Sequence, residues 1–184
     1  PTGVLAAASG NAEPDTAGSG VWTLTGTLAR VNAALAAVSF TPATDNDINT
    51  TITTHIEDQS ATGPADGLIS LNVTPANDAP TATNLTQVQA YNEGDATVAL
   101  TDIVVSDVDV NPAQTITATM TLANTATGVL TAASGNGETY TAGSGVWTVT
   151  GTLASVNAAL AAVSFTPATD NDINTTITTH IEDQ

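Results

Sequence analysis

The stretch "GSGVWTLTGTLARVNAALAAVSFTPATDNDINTTITTHIEDQ" at residues 18–59 returns at residues 143–184 as "GSGVWTVTGTLASVNAALAAVSFTPATDNDINTTITTHIEDQ". The duplication extends beyond this stretch, because residues 2–59 and 127–184 align without a gap at an offset of 125 residues. A period this long is that of a whole domain and not of a solenoid turn. The sequence therefore predicts tandem domains.

The boundary between the repeats falls in "NVTPANDAPTATN" at residues 72–84. With this boundary, residues 1–79 are the C-terminal part of one repeat and residues 80–184 are the N-terminal part of the next. Each part is then an incomplete repeat, so we expect unpaired sheet edges and further repeat sequence on either side. An intact mass near the 18.3 kDa of this chain would refute that expectation.

Short alternating or β-branched runs separated by turn signals predict strands throughout the repeat. Gly-rich turns such as "ASGNGE" and "TAGSG" suit hairpins between them. This spacing of strands and turns predicts an all-β fold of tandem Ig-like β-sandwich domains. The predicted strands are Thr83–Tyr91, Ala96–Val105, Gln114–Ala123, Gly128–Ala132, Val146–Thr150, Ser164–Thr166, Thr175–Ile181 and, from the first copy, Leu68–Val73.

One stretch in each copy departs from the strand pattern. In "GTLASVNAALAAV" at residues 151–163, Thr152 can cap a helix, and apolar residues recur at helical spacing at Leu153, Val156, Leu160 and Val163. We therefore expect a short helix in each repeat, packed on the rim of the sandwich.

The charge of the chain restricts its partners. It carries 18 acidic residues and one basic residue, Arg30, for a formal net charge of −17. Nucleic acid and anionic membrane surfaces would repel such a chain. It has no cysteine for disulfide or thiolate chemistry, and no apolar run approaches the roughly 18 residues that span a bilayer. The acids either form a solubilising surface or bind cations.

The position of the acids in the predicted loops favours cation binding. Successive loops of a strand ladder alternate between the two ends of a domain, so each acidic loop can be assigned to an end. The loops that carry Asp107, Asp109 and Asp183 are predicted at the end where the chain enters the second domain. Those that carry Glu93, Asp170 and Asp172 are predicted at the opposite end, as are their first-copy counterparts Asp45 and Asp47.

The linker adds oxygen ligands between the two domains. Pro75 and Pro80 hold it extended, and Asn77 and Asp78 lie between them. Domains joined end to end would bring these side chains together with Asp45 and Asp47 of the first domain. They would also bring them close to the acids at the end where the chain enters the second domain. Ca²⁺ takes about 6–8 oxygen ligands, whereas hydrated Mg²⁺ suits such a crowded set less well. The sequence therefore predicts Ca²⁺ at the interdomain junction.

The linker and loop motifs resemble the cadherin-like repeats of large bacterial surface adhesins, notably the RTX type of Gram-negative bacteria. "ANDAP" is similar to the cadherin linker D-x-N-D-x-x-P, although Thr74 or Pro75 stands in place of its first Asp. "DVD" at Asp107–Asp109 resembles the cadherin D-x-D, and Glu93 occupies a position like the glutamate of the first loop. "GTLASVNAALAAVSFTP" looks like a segment frequent in adhesin repeats, and the likeness covers most of both copies.

This resemblance implies an extracellular or cell-surface structural protein. Arrays of such domains act as Ca²⁺-stiffened stalks in cell attachment and biofilm formation, and each repeat contacts its neighbours in the same chain. The terminal ligand is then carried by other domains, with no nucleic acid and no direct membrane contact. The missing first linker Asp leaves open the number of ions at the junction.

The remaining candidates lead to an alternative function. Trp22 and Trp147 are expected in the core, but as exposed rings they would offer a glycan- or surface-ligand-binding face beside the Thr-rich strands.

His55 and His180 occur once per copy with no second His or Cys nearby, which favours hydrogen-bonded or solvent-facing strand positions over a zinc site. No nucleophile with an activating base stands out, so we expect a chain that is not an enzyme.

Overall fold

A computed structural model describes residues 2–7, 20–109 and 114–184. The chain divides into two compact units, Pro1–Asn77 and Asp78–Gln184. Within the described residues most of the regular structure is β, in small antiparallel sheets, which confirms the all-β class.

The first unit contains a helix and two pairs of antiparallel strands. Strand β1 (Gly3–Ala7) pairs with β2 (Val38–Pro42), and β3 (Thr50–Thr54) pairs with β4 (Gly67–Leu71). Helix α1 (Leu28–Leu35) lies between β1 and β2 in the chain, and the hydroxyl of Thr27 accepts a hydrogen bond from the backbone of Arg30 to cap it.

The second unit contains nine strands, one α-helix and one turn of 3₁₀ helix in its described residues. The strands are β5 (Thr81–Ala82), β6 (Val98–Ala99), β7 (Val105–Ser106), β8 (Ile116–Leu122), β9 (Gly128–Leu130), β10 (Thr139–Thr141), β11 (Val146–Gly151), β12 (Ser164–Pro167) and β13 (Ile177–Asp183). Helix α2 spans Leu153–Ala162, and the 3₁₀ turn spans Thr125–Thr127. The strands form a four-stranded sheet, a three-stranded sheet and a strand pair, with orders β10-β11-β8-β13, β6-β12-β9 and β5-β7.

The core of the second unit is built around the middle of the four-stranded sheet. Along β8 the apolar residues are buried and the threonines between them lie on the other face, as the two-residue period of a strand requires. On that other face, the hydroxyls of Thr117 and Thr150 lie 2.9 Å apart across β8 and β11. Trp147 of β11 is completely buried, which confirms its expected place in the core.

Helix α2 closes this core. The hydroxyl of Thr152 accepts a hydrogen bond from the Ser155 amide at 3.2 Å, which is the capping role expected from the sequence. Val156 and Leu160 are buried against the sheets. Asn157 fixes the helix to β7, because its Oδ1 accepts from the Val105 amide at 2.8 Å and its Nδ2 donates to the Val105 carbonyl at 3.0 Å.

The apolar residues of the repeated sequence are more exposed to solvent in the first unit than in the second. Leu160 is 4% exposed, whereas its counterpart Leu35 is 40% exposed. Among the described residues of the first unit, Ala34 is the one apolar residue that is fully buried. The repeated sequence therefore forms related local elements in two different packing environments.

One predicted strand is absent, a second is much shorter than predicted, and one observed strand was not predicted. The first predicted strand, residues 83–91, is wrong, because none of these residues is in a strand and the two-residue β5 ends before them. The Gln87 side chain takes over part of the pairing there, since its Oε1 accepts from the Thr101 amide at 2.7 Å and its Nε2 donates to the Thr101 carbonyl at 3.0 Å. The second predicted strand, residues 96–105, is reduced to β6 and β7, while β10 lies in a stretch interpreted as turns.

No helix within the described ranges has the length and apolar character needed to cross a bilayer.

Candidate metal-binding sites at the ends of the second unit

Four of the predicted ligand residues (Asp78, Asp107, Asp109 and Asp183) lie at one end of the second unit, and together with Gln114 they form what we call the Asp183 end. The pairing of Thr81 with Ser106 in β5 and β7 brings the start of the unit beside the loop that follows β7. The Asp78 amide donates to Asp109 Oδ2 at 2.7 Å, and the Asp109 amide donates to Asp107 Oδ1 at 2.9 Å. Backbone amides therefore orient the carboxylates of Asp109 and Asp107.

Gln114 joins the remaining carboxylate to this group. Its Nε2 donates to Asp183 Oδ2 at 2.9 Å and to Asp107 Oδ2 at 3.3 Å. Asp183 reaches this position because the last residue of β13 is paired with Ile116, the first residue of β8. One neutral amide group thus contacts two half-buried carboxylates that are 76 residues apart in the chain.

A second acidic group lies in what we call the Asp170 end (Glu93, Asp95 and Asp170). These residues line an open concavity of about 390 Å³ between the loop before β6 and the loop after β12. In the first of these loops the Asn92 amide donates to Asp95 Oδ2 at 2.8 Å, and Gly94 has a φ of 85° that suits the turn. The sequence prediction that Glu93 and Asp170 lie at the same end agrees with this geometry.

The loop after β12 has the same conformation as its copy in the first unit. Asp170 and Asp45 both adopt the left-handed region, with φ of 55° and 54°. The next residue then bonds two positions ahead in each copy: Asn171 Nδ2 donates to the Ile173 carbonyl at 3.0 Å, and Asn46 Nδ2 donates to the Ile48 carbonyl at 3.1 Å. The turn is therefore fixed by local sequence, since Asp and Asn tolerate this region better than other side chains.

The two acidic ends of the second unit lie at opposite ends of β8. Asp183 is beside the start of β8, while the loop after β12 is tied by the Ala168 amide to the Thr127 carbonyl, just beyond the end of β8. Seven strand residues separate these positions, which is a span of about 20 Å at roughly 3.3 Å per residue. Asp172, the remaining candidate of this unit, is exposed in the loop after Asp170.

The other predicted ligands belong to the first unit. Asp45 and Asn77 are exposed, and Asp47 is half-buried. Asp45 and Asp47 follow β2 in the turn described above, and Asn77 is the last residue of the unit.

The donor chemistry at both ends fits a hard cation, because carboxylate and amide oxygens are the ligands that Ca²⁺ takes. The arrangement is more open than a formed site: in residues 2–7, 20–109 and 114–184, no three acidic, His or Cys side chains converge closely enough to hold a metal ion. At the Asp183 end, several carboxylate oxygens already accept hydrogen bonds from Gln114 and from backbone amides. Ion binding there would replace at least the Gln114 contacts.

Glu138 was not among the candidate residues predicted from the sequence. Its carboxylate accepts hydrogen bonds from the amides of Ser134, Gly135 and Asn136, the last at 2.9 Å. Partial burial raises the pKa of Glu138. Hydrogen bonds from the Ser134 side chain and from nearby backbone amides lower this pKa by a larger amount, so that it falls to about 2. The signal was the turn sequence "SGNGE" with an acid at its end; the copy of Glu138 at position 13, and Asp15 with it, lie outside the described residues.

The histidines occupy exposed positions beside carboxylates. His55 Nδ1 lies 2.6 Å from Asp66 Oδ1, and His55 Nε2 lies 3.4 Å from Glu57 Oε2. Hydrogen bonds to Asp66 and then to Glu57 raise the pKa of His55. His180 Nε2 lies 3.5 Å from Glu182. His180 lies in β13, as expected, whereas His55 follows the end of β3 and is not in a strand.

Comparison of the chain with protein-family models, curated proteins and solved structures gave no match.

Proposed function

We propose that this chain forms extender domains of a secreted bacterial surface adhesin, in which Ca²⁺ bound between consecutive domains stiffens a stalk. The domains are cadherin-like members of the Ig-like sandwich class, with a short helix in each repeat. The partners are the neighbouring repeats of the same chain, and the location is extracellular or on the bacterial surface. The chain is not an enzyme in this proposal.

The main support for this proposal is the arrangement of residues at the Asp183 end. A residue of the linker, Asp78, is hydrogen-bonded to an acidic loop that also contacts Asp183 through Gln114. A cation that replaced the Gln114 contacts would therefore tie the linker to the rest of the second unit. In a tandem array the acids of the preceding domain, represented here by Asp45 and Asp47, would complete its ligand set.

The presence of acids at both ends of one module supports the same function. Each module would offer the Asp170 end to the next domain and the Asp183 end to the previous one. Near-identical repeats then lengthen the stalk without any change in the junction, which suits a spacer better than a recognition module.

Calcium titration with a charge-matched control tests the proposal. Calorimetry should detect binding to the full chain, and small-angle scattering should give a longer, less flexible particle in Ca²⁺ than in chelator. Asp107→Asn should weaken both effects, whereas Asp102→Asn removes the same charge from an exposed loop outside the predicted ligand set and should leave them unchanged. Identical scattering in Ca²⁺ and in chelator would contradict the proposal.

The alternative, a glycan-binding face at the tryptophans, has less support. A sugar-stacking ring must be exposed, and Trp147 is 0% exposed. The half-buried Trp22 is the remaining aromatic candidate. Glycan-array binding that is lost in Trp22→Ala would favour this alternative.

A further inference from the structure

Gln114 is the one neutral side chain of the Asp183 end, and it joins two carboxylates from distant parts of the chain. Its Nε2 lies 2.9 Å from Asp183 Oδ2 and 3.3 Å from Asp107 Oδ2, and we call these two hydrogen bonds the Gln114 bridge. All three residues are half-buried. Ionised carboxylates repel each other more strongly away from bulk water, so the two N–H groups of one amide offset this repulsion without adding a charge.

The bridging nitrogen lies at a position that suits a cation. Ca²⁺ binds oxygen at about 2.3–2.6 Å, so each of the two carboxylate oxygens would move by less than about 1 Å to coordinate an ion placed there. The backbone beneath both side chains is already fixed, because Asp183 is paired with Ile116 and the Asp109 amide donates to Asp107 Oδ1. Small side-chain rotations are therefore enough to replace the amide by an ion.

The first copy shows that the Gln114 bridge is compatible with a complete repeat. Asp58 is the counterpart of Asp183, and it accepts both turn amides on the same oxygen, Oδ1, from Ser60 at 2.8 Å and from Thr62 at 3.1 Å. In a complete second repeat the same turn would occupy one oxygen of Asp183. The other oxygen would still accept from Gln114.

We propose that Gln114 is a ligand switch, which donates to Asp107 and Asp183 in the ion-free chain and turns its Oε1 toward Ca²⁺ in the bound chain. This inference rests on the proposed function and adds a ligand that the acidic pattern does not contain. A half-turn of the terminal amide exchanges Nε2 for Oε1 without moving the rest of the side chain, and amide oxygens are ligands that Ca²⁺ takes. One residue thus satisfies the two carboxylates in one state and the ion in the other.

The switch sets the calcium affinity of the Asp183 end. An ion binds only after the Gln114 bridge has opened, and the dissociation constant is raised in inverse proportion to the fraction of chains in which it is open. Gln114→Glu removes the donors and supplies a charged oxygen, so it should bind Ca²⁺ on the order of tenfold more tightly. In chelator, Gln114→Glu and the apolar Gln114→Met should both lower the melting temperature, because neither variant bridges Asp107 and Asp183.

NMR of the full wild-type chain, labelled with ¹⁵N and ¹³C, measures the switch directly. In chelator the side-chain NH₂ protons of Gln114 should exchange slowly with water, because they donate to carboxylates. Calcium should speed this exchange and shift the signal of the Gln114 side-chain carbonyl carbon as its oxygen turns to the ion. Gln87 is the control in the same spectrum, because its Nε2 donates to the Thr101 carbonyl at 3.0 Å and its signals should not change.

Calorimetric titration of the variants with Ca²⁺ completes the test. Gln89→Glu is the charge-matched control, because it adds the same charge at an exposed position outside both acidic ends and should leave the affinity unchanged. The inference is overturned if the wild-type chain binds calcium while the Gln114 signals stay the same, or if Gln114→Glu binds no more tightly than Gln89→Glu. Either result would leave the proposed function intact, whereas a wild-type chain that binds no calcium would contradict both.

Discussion

Leu35 and Leu160 are copies of one position, and truncation of each to alanine should destabilise the chain by very different amounts. Leu160 of α2 is 4% exposed and lies in the core, while Leu35 is 40% exposed at the end of α1. A buried Leu→Ala substitution costs about 2–5 kcal/mol through lost transfer energy and the cavity left behind. Leu35→Ala loses only part of that burial, so we expect a cost of about 1 kcal/mol or less.

Calorimetry of the full chain measures both effects in one scan. A loss of about 3 kcal/mol in a domain of this size lowers its melting temperature by on the order of 15 °C. Fluorescence of Trp147, recorded in a Trp22→Phe background, assigns the transition of the second unit. Leu160→Ala should lower that transition and Leu35→Ala should not. Equal destabilisation by the two substitutions would refute the reasoning that the two copies differ in packing.

The remaining predictions concern ions and protons. Calcium should raise the melting temperature of the wild-type chain, because an ion that binds only the folded state stabilises it, and Asp107→Asn should reduce this gain while Asp102→Asn should not. The pKa of Glu138 is lowered from 4.5 to about 2, so its ionised form stabilises the fold above pH 4.5, and this stabilisation is lost as the pH falls toward 2. In urea titrations, the free energy of unfolding of Glu138→Gln should lack this acid-dependent loss. The pKa of His55 is raised above 6.5, so the protonated ring stabilises the fold below pH 6.5, and this stabilisation is lost as the pH rises through the pKa of the folded state. An NMR titration of Asp66→Asn should give a lower pKa for His55.

The strands that could be predicted from the sequence are those whose side chains alternate between core and solvent. The third predicted strand, residues 114–123, contains β8, in which every second residue is buried. The first predicted strand has a similar alternation on paper, but its polar residues include Gln87, whose side chain bonds to the Thr101 backbone. A side chain that replaces a ladder partner leaves no trace in periodicity, and for this reason the segment was misassigned.

The positions of the acidic ends could be predicted from the direction of successive strands. Since β8 and β13 are antiparallel, Asp183 had to return to the end from which β8 starts, and the structure places it there. Gln114 was not predicted because an uncharged amide carries no signal among so many polar residues, and its role depends on the carboxylates that the fold brings to it. Charge pattern and topology together predict where acids gather, but they do not identify the neutral groups between them.

The two copies separate what the sequence specifies locally from what it does not. Asp45 and Asp170 adopt the same left-handed turn, followed by the same Asn side-chain bond, although the two units bury their apolar residues differently. The acidic loop therefore does not depend on the core beneath it. The proposed stalk would need this independence, because each junction would have to present its oxygen ligands in the same geometry whatever the packing of the domain that supplies them. If the loops are the ligands, loosening the core by Leu160→Ala should leave the calcium affinity of the folded chain unchanged while its melting temperature falls.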